Sequence, residues 1–341
     1  MRDWNELKSA VKKRAANAPT APEGLAEDLS GVYDLGRVTE APSPVSYTPG
    51  GRSWSIKTDR GRWLAVTVWD WVSEEQAELG ARLCDAAVAA GVAAPVPVRS
   101  RQGRLIETVQ EQAWRVQEWI KVGPSPMVPI AANVARRAGA ILGTLHSLAI
   151  PSEAPVHPHL TSRRPEASWH ALLDEARAAH KPWADQLQEA LPTLDELSTI
   201  EVTIGDELIL CHRSLNPEAV RMGHNDELVA TGWDLAGSLT PELELGCALR
   251  DWTLHPSTNQ QAITSFRDGY VEAAGQWPKL ELASFAVAVT GYLNWTYDRI
   301  CAAISSADSD HATFSESEAA DLLNRPMTRS SLQQLLAAAD A

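Results

Sequence analysis

Hydrophobic positions along this chain change their period near its middle. Residues 1–30 begin with helical spacing at Trp4, Leu7 and Val11 and run on through an Ala/Pro-rich stretch, which predicts a helical or mobile arm. From Val32 to Val72 the pattern becomes strand-like. Ser53-Trp54-Ser55-Ile56-Lys57-Thr58 alternates, Asp59-Arg60-Gly61 suits a tight turn, and Trp63 to Trp69 is mostly apolar. Strand patterns on both sides of such a turn predict a β-hairpin. Gly50-Gly51 ahead of it is either a plain loop or a glycine-rich loop over a phosphate, and paired glycines alone favour the plain loop. Glu74 to Ala90 has helical spacing, closed by Gly91 at the C′ position. A second hairpin is expected from Val96–Arg99 and Leu105–Val109 about Gln102-Gly103, followed by a strand over Ala113–Trp119.

Beyond residues 122–128 (Val-Gly-Pro-Ser-Pro-Met-Val), a Gly/Pro-rich joint suited to a hinge, the period is helical. Val134 to Leu148 carries a core-facing stripe. Residues 151–166 form a Pro/His-containing loop, and 168–198 read as two helices broken near Lys181-Pro182. Helices are also expected over Leu243–Leu254, Gln260–Ala274, Leu280–Ile304 and 330–340. The fold class is α+β with two lobes: an arm (1–30), a small β-rich N-lobe (31–121), the hinge (122–128) and a larger helical C-lobe (129–341).

Composition narrows the partners. With 44% hydrophobic and 22% charged residues in 341, the chain has ample length for a core. A formal charge of −14 argues against nucleic acid or an anionic membrane surface, since both require basic patches. No apolar run approaches the ~18 residues of a membrane span, and Met1 to Glu6 show no apolar h-region of a signal peptide. Four cysteines, at 84, 211, 247 and 301, fit neither a zinc spacing nor a disulfide framework, so a reduced, cytoplasmic setting is expected. Thirteen tryptophans against three phenylalanines read as core or groove lining.

Between the helical segments, Leu208-Ile209-Leu210 is an apolar strand running into the polar loop Cys211-His212-Arg213-Ser214-Leu215-Asn216-Pro217-Glu218-Ala219-Val220. Leu228-Val229-Ala230 is a second strand, ending in Trp233-Asp234-Leu235-Ala236-Gly237. Two strand ends that deliver polar groups to one place suit phosphoryl transfer. Here the chain resembles the aminoglycoside phosphotransferase and choline kinase-like family, within the protein-kinase-like superfold, as a degenerate member. That family carries H-x-D-x-x-P-x-N, a strand, and I-D-W-[ED]-x-A-G. His212, Leu215, Pro217, Trp233, Asp234, Ala236 and Gly237 sit at matching places. Ala138 to His146 is similar to the family's helix ending in L-H. Val116-Gln117-Glu118-Trp119 is similar to its inter-lobe strand, which puts Glu118 and Trp119 at the nucleotide groove and hinge. Ala65-Val66-Thr67 falls where kinases have A-x-K. The resemblance covers most of the chain and implies ATP and Mg2+ for an intact member, with an alcohol group as acceptor.

The positions that the resemblance marks for chemistry are altered. Ser214 stands where the base would be, and a hydroxyl cannot serve at neutral pH without a base of its own. Ala219 replaces a metal-binding amide and Gly232 the metal carboxylate, whereas magnesium wants oxygen ligands. Thr67 stands at the phosphate-gripping lysine. The helix acid falls near Gly80, with Glu75 and Glu78 close by. Two rescues are open. Asp234, two residues beyond Gly232, either reaches a metal or hydrogen-bonds the loop as the family's second acid. Lys57, on the adjacent strand as in the with-no-lysine kinases, either supplies the phosphate cation or is a solvated hairpin lysine. His212 is expected to hold the loop's shape, Arg213 and Glu218 to pair on the surface, and His146 to be a satisfied structural histidine. His157-Pro158-His159 is too sparse for a metal without a third ligand.

Two main functions follow. The first is a pseudokinase, impaired for phosphoryl transfer, that binds a small molecule, peptide or protein and needs no cofactor. The alternative is a divergent ATP/Mg-dependent phosphotransferase acting on a small hydroxylated molecule, cationic or neutral, or on a peptide in natural-product metabolism. A subunit activating an intact paralogue is a weaker third. Trp54, Trp63 or Trp119 filling a groove would exclude ATP. Acids in 168–198 and 242–254 either line a groove for a cation or form solvated helix faces.

Overall fold

The strands expected around Trp54 and Trp63 lie in the middle of one antiparallel sheet. In the computed structural model, which describes residues 21–48, 51–69, 72–224, 227–254, 257–306, 309–324 and 327–340, the chain divides into two compact units. One is built from residues 1–88 with 94–121, the other from 89–93 with 122–341. Trp4, Leu7, Val11 and Gly50 lie outside the described residues.

The first unit holds helix α1 (Leu25–Tyr33), strands β1 (Ser43–Thr48), β2 (Gly51–Thr58) and β3 (Gly61–Thr67), and helix α2 (Glu74–Ala89). Short strands β4 (Pro97–Val98) and β5 (Glu107–Val109) and strand β6 (Gln112–Glu118) complete it. The sheet order is β1-β2-β3-β6-β4, with β5 also paired to β6. Alternation sends Trp54, Ile56, Trp114 and Val116 into one apolar cluster, as period-2 strands require.

Two expectations fail in this unit. The arm's last residues are not loose. Leu25, Leu29 and Tyr33, four residues apart, bury one face of α1 in the same cluster, and the Tyr33 hydroxyl donates to the carbonyls of Leu105 (3.0 Å) and Trp114 (2.7 Å). The Pro/Ala-rich flank had masked that stripe. Nor do β4 and β5 pair with each other, since both add to β6. The hairpin forms between β5 and β6, about Gln110 and Glu111, both at positive φ (50° and 64°). This is the backbone of a type I′ turn without its usual glycine. Gln110 is held by hydrogen bonds to the Glu23 carbonyl (3.0 Å) and the Asp28 carboxylate (2.8 Å).

The second unit is mainly helical. Helix α3 (Ala132–Ser147) is followed by α4 (Pro158–Thr161), α5 (Glu166–Ala178) and α6 (Ala184–Leu197). Strands β7 (Ile209–Cys211), β8 (Val220–Met222), β9 (Leu228–Ala230) and β10 (Gly237–Leu239) come next. Then follow α7 (Pro241–Thr253), α8 (Gln260–Ala274), α9 (Ala286–Ser305), α10 (Ser309–Asn324) and α11 (Arg329–Asp340). Helices α3 and α8 meet backbone to backbone. A Cβ on Gly139 would lie 2.0 Å from the Phe266 carbonyl oxygen, and one on Gly269 would lie 1.9 Å from that of Arg136. Only glycine permits that approach. Among the described residues no helix is long and apolar enough to cross a membrane.

Strand β7 pairs with β10 and β8 with β9. Residues 123–124 run along β8: the Gly123 amide donates to the Met222 carbonyl (2.6 Å), and the Met222 amide to that of Pro124 (3.0 Å).

Candidate functional site

The loop between β7 and β8 is shaped by backbone needs first. Asn216 caps the short 3-10 turn Pro217–Ala219, its side-chain oxygen accepting from the amides of Glu218 and Ala219 (2.9 Å each), the usual work of Asn at an N-cap. Pro217 suits the first position of that turn. The Trp252 indole donates to the Leu215 carbonyl (2.7 Å) from inside the core. Thr231, after β9, donates to the Ala219 carbonyl through both its amide (2.8 Å) and its hydroxyl (2.9 Å). The loop is thereby tied to the start of the second motif.

Ser214, Ala219 and Gly232 meet as a result. Gly232 has φ of 79°, and a Cβ there would lie 3.5 Å from the Ala219 Cβ and 3.8 Å from the Ser214 Oγ. The patch therefore presents one hydroxyl, one methyl and a bare backbone, with no carboxylate or amide from any of the three positions. That donor set does not fit a magnesium ion. Asp234 sits half-buried in the adjoining 3-10 turn Trp233–Leu235.

His212 lies beneath this patch, fully buried, with its ring edge-on to Trp233 at 4.6 Å between centroids. Its Nε2–H donates to the Thr231 carbonyl at 3.1 Å. That leaves Nδ1 as the acceptor facing the Ser214 hydroxyl at 3.4 Å. Burial pushes the imidazole pKa down, against the smaller opposing pull of Glu244, so the ring is neutral near pH 7.

The loop's other support was invisible locally. Glu244, in α7 and only 2% exposed, accepts from the Arg213 backbone amide and from His146 Nε2 (2.9 Å), while His146 Nδ1 meets the Tyr270 hydroxyl (2.8 Å). Burial alone would raise the Glu244 carboxyl. The hydrogen bond from His146, the pull of the His146 and His212 rings once they are protonated in acid, and the Arg213 amide together outweigh burial and hold it below the ordinary range. The anchor fixes Arg213 at φ 62°, a costly conformation for a residue with a side chain. One ring nitrogen of His146, Cys211 Sγ and a Glu244 oxygen lie within 4.8 Å of one another. Each is already hydrogen-bonded, Cys211 to the Leu239 carbonyl at 3.6 Å, so the group reads as a buried network and not a metal site. Glu244 is thus a support for the loop and not part of a cationic groove.

Arg213 does not pair with Glu218 among the described residues. Its guanidinium turns back to donate to the Leu235 and Ala236 carbonyls and lies against Gly237, where a Cβ would come within 2.5 Å of the Arg213 Cζ.

In the first unit, Thr67 closes β3 and its hydroxyl accepts from the Arg52 amide (2.9 Å). Lys57 is not its neighbour. The β2–β3 register sets Lys57 opposite Arg62, while Ser53 faces Val66. Lys57 is therefore five positions from Arg52, about 16 Å along an extended strand, and its ammonium is paired with Glu40 on an exposed face. Alternation put Lys57 on the adjacent strand but could not supply the register. Glu78 of α2 pairs with Arg99 through two hydrogen bonds, one at 2.8 Å, which lower the Glu78 carboxyl pKa. Glu74 instead accepts from the amides of Leu105 (2.7 Å) and Ile106 (2.9 Å). Arg99 as a partner for a helix acid had no local signal. Glu118 is exposed at the end of β6, and the Trp119 ring lies 4.0 Å under the Arg62 guanidinium. Trp54 is 3% exposed and packs edge-on to Trp114 inside the sheet cluster, so it fills no groove. The Trp63 indole donates to the Thr58 hydroxyl within the same unit (3.1 Å).

An antiparallel sheet unit, a helical unit, and a loop, strand pair and turn of this form define a kinase-like phosphotransferase fold. The chain belongs to the phosphotransferase enzyme family, whose model matches residues 50–283. It is similar in structure to a spectinomycin phosphotransferase in complex with ADP and spectinomycin, with TM-score 0.63 and 10% identity over 95% of this chain and 100% of that one. An amicoumacin kinase in complex with AMP-PNP and Ca2+ gives TM-score 0.60 at 11% identity, over 94% and 99% of the two chains. An aminoglycoside phosphotransferase from Alicyclobacillus acidocaldarius gives 0.58 at 14%, over 94% and 97%. At these identities the likeness is one of fold. No curated protein matches the sequence significantly.

Proposed function

We propose that this member of the family is a pseudokinase: a binding or accessory protein that keeps the shape of the catalytic loop without ordinary phosphoryl transfer. One observation carries the reading. The Ala219 Cβ and the Ser214 Oγ lie 3.5 and 3.8 Å from where a Cβ on Gly232 would stand, and the three residues offer a hydroxyl where the chemistry needs a base and metal ligands. Each lost group of that kind typically lowers the rate by about two or more orders of magnitude. The loop around them is intact and fully supported, which suits recognition of a small molecule, peptide or protein.

A second reading draws on the Ser214–His212 contact. The neutral imidazole gives Ser214 the base that a lone hydroxyl lacks, so an acceptor alcohol could pass its proton to Ser214 as the Ser214 proton moves to His212 Nδ1. That supports a divergent transferase using Asp234 for any cation.

Thermal shift and a radiolabelled transfer assay separate the two. The pseudokinase reading expects no transfer from ATP to hydroxylated amines such as spectinomycin, and no Mg2+-dependent rise in Tm at millimolar ATP, because a native-state ligand would stabilise by mass action. Turnover lost in both Ser214→Ala and His212→Gln would overturn it in favour of the relay. A Mg2+-dependent Tm rise that Asp234→Ala removes would show that a nucleotide site survives.

A further inference from the structure

Ser214 and His212 carry chemistry that needs no nucleotide. A serine becomes a nucleophile when a neutral base takes its proton and a third group holds that base in place. All three parts come from the β7–β8 loop and the turn after β9. The Ser214 hydroxyl faces two acceptors at the same 3.4 Å, His212 Nδ1 and the Gly232 carbonyl, and of these only the imidazole can take a proton. The Thr231 carbonyl fixes the tautomer by accepting from Nε2 at 3.1 Å, and Trp233 braces the ring edge-on. His212 is fully buried, whereas Ser214 is half-buried above it, so the base works through the serine. A 3.4 Å contact is looser than an engaged pair, as is common in sites without substrate. The surroundings of the hydroxyl decide which electrophile suits it. Chain neighbours aside, only the Ala219 methyl and the Ser214 Oγ come within 4 Å of the place a Gly232 Cβ would take. That leaves small, uncharged space beside the nucleophile. A phosphoryl group brings anionic oxygens that need a cation, and these three residues supply no ligand to hold one; an acyl carbon brings no charge to neutralise.

We infer that Ser214 is a nucleophilic serine that accepts an acyl group from an activated ester or thioester, with His212 as its base. The Ser214 Oγ bonds to the acyl carbon, and the bond from that carbon to its leaving oxygen or sulfur breaks. The hydroxyl proton passes to His212 Nδ1 and from there to the departing alkoxide or thiolate. An acyl ester on Ser214 and a neutral imidazole remain, and no oxidant, nucleotide or metal enters the balance. The step rests on the same two side chains as the relay reading above but forms a different bond, since in the relay Ser214 stays unmodified and ATP is consumed.

The test mixes the full-length chain with p-nitrophenyl acetate, without ATP or Mg2+. The expected result is a burst of nitrophenolate of about one equivalent per chain, the mark of an accumulating acyl-enzyme, with peptide mapping that places one acetyl group on Ser214. An internal reference is Ser147, an exposed serine whose hydroxyl donates to the Thr144 carbonyl and meets no base. Ser214 should be acetylated about a hundredfold or more faster than Ser147, the usual gain from a positioned base. Ser214→Ala should remove the burst, and His212→Gln, once melts show it folded, should slow acetylation of Ser214 by about the same factor. Should His212→Gln not fold, the ratio of Ser214 to Ser147 in the wild type decides. No burst, a burst that survives Ser214→Ala, equal acetylation of the two serines, or a folded His212→Gln acetylated as fast as wild type would each overturn the assignment. Failure here leaves the pseudokinase reading standing, and transfer from ATP with Ser214 unmodified would remove that reading without deciding this one.

Discussion

Removing the Glu244 carboxylate tests whether the loop's shape is imposed from the core. In Glu244→Ala the Arg213 amide and His146 Nε2–H lose their acceptor inside the protein, where neither can turn to water. Breaking such a buried, charge-bearing contact costs about 3 to 5 kcal/mol. For a unit of this size, at about 2–4 °C per kcal/mol, Tm should fall by roughly 6 to 20 °C. Glu244→Gln separates hydrogen bonding from charge. Its carbonyl can still accept from Arg213, and its amide can donate to His146 Nε2 if that ring shifts its proton to Nδ1 and donates to the Tyr270 oxygen. Its loss should be near 1 kcal/mol, in the range of a single net hydrogen bond. Acidity supplies a further check. The folded-state pKa of Glu244 is depressed, so its contribution is present above the ordinary carboxyl value and is lost as pH falls through the depressed one. The Tm gap between wild type and Glu244→Gln should therefore close on acidification below about pH 4. Circular dichroism melts across pH would read all three proteins. An alanine variant within 2 °C of wild type, or a glutamine variant as damaged as the alanine one, would refute the argument.

Two further outcomes follow from packing and burial. Gly139→Ala should destabilise by about 1 to 3 kcal/mol through overpacking, because its new methyl would sit on the Phe266 carbonyl; chemical denaturation reads this, and a neutral result would mean that α3 and α8 can separate freely. His212 is held neutral by burial, with a folded-state pKa below its unfolded one. Its contribution is therefore full above about pH 6.5 and falls as pH drops through the depressed value. Melts at pH 7.5 and 5.5 should show a smaller loss for His212→Gln than for wild type, with His157 and His159, depressed by burial as well, holding the remainder.

What the sequence disclosed was local. The β2–β3 hairpin followed from alternation about Asp59-Arg60-Gly61, and the helices over 134–148 and 260–274 from apolar spacing. The motif about His212 carried the family. What it concealed was non-local or flanked by misleading composition. Glu244 lies thirty-one residues beyond Arg213, and nothing in Glu242-Leu243-Glu244 distinguishes a buried acceptor from a solvated acid. Lys57 was legible as a residue of the adjacent strand, either a phosphate cation or a solvated hairpin lysine, but its distance from Thr67 was not, since register depends on the turn and on which strand pairs with β3. Helix α1 was hidden by the prolines ahead of it, and helix α10 by a polar stretch, Ser309 to Glu318, with few apolar positions to mark its period.

The loop's supports are distributed in a way that separates inheritance of form from inheritance of chemistry. Glu244, Asn216, Thr231 and Trp252 keep the backbone in place, and three of these lie outside the loop. The side chains of Ser214 and Ala219 add little to that hold, although the Ala219 carbonyl accepts from Thr231 and Gly232 sits at φ 79°, which favours glycine. The side chains at Ser214 and Ala219 can therefore change without unfolding the protein. The same freedom runs in both directions: a lineage can shed its acids and keep a usable surface, and a small number of substitutions can retool that surface while the frame stays unchanged.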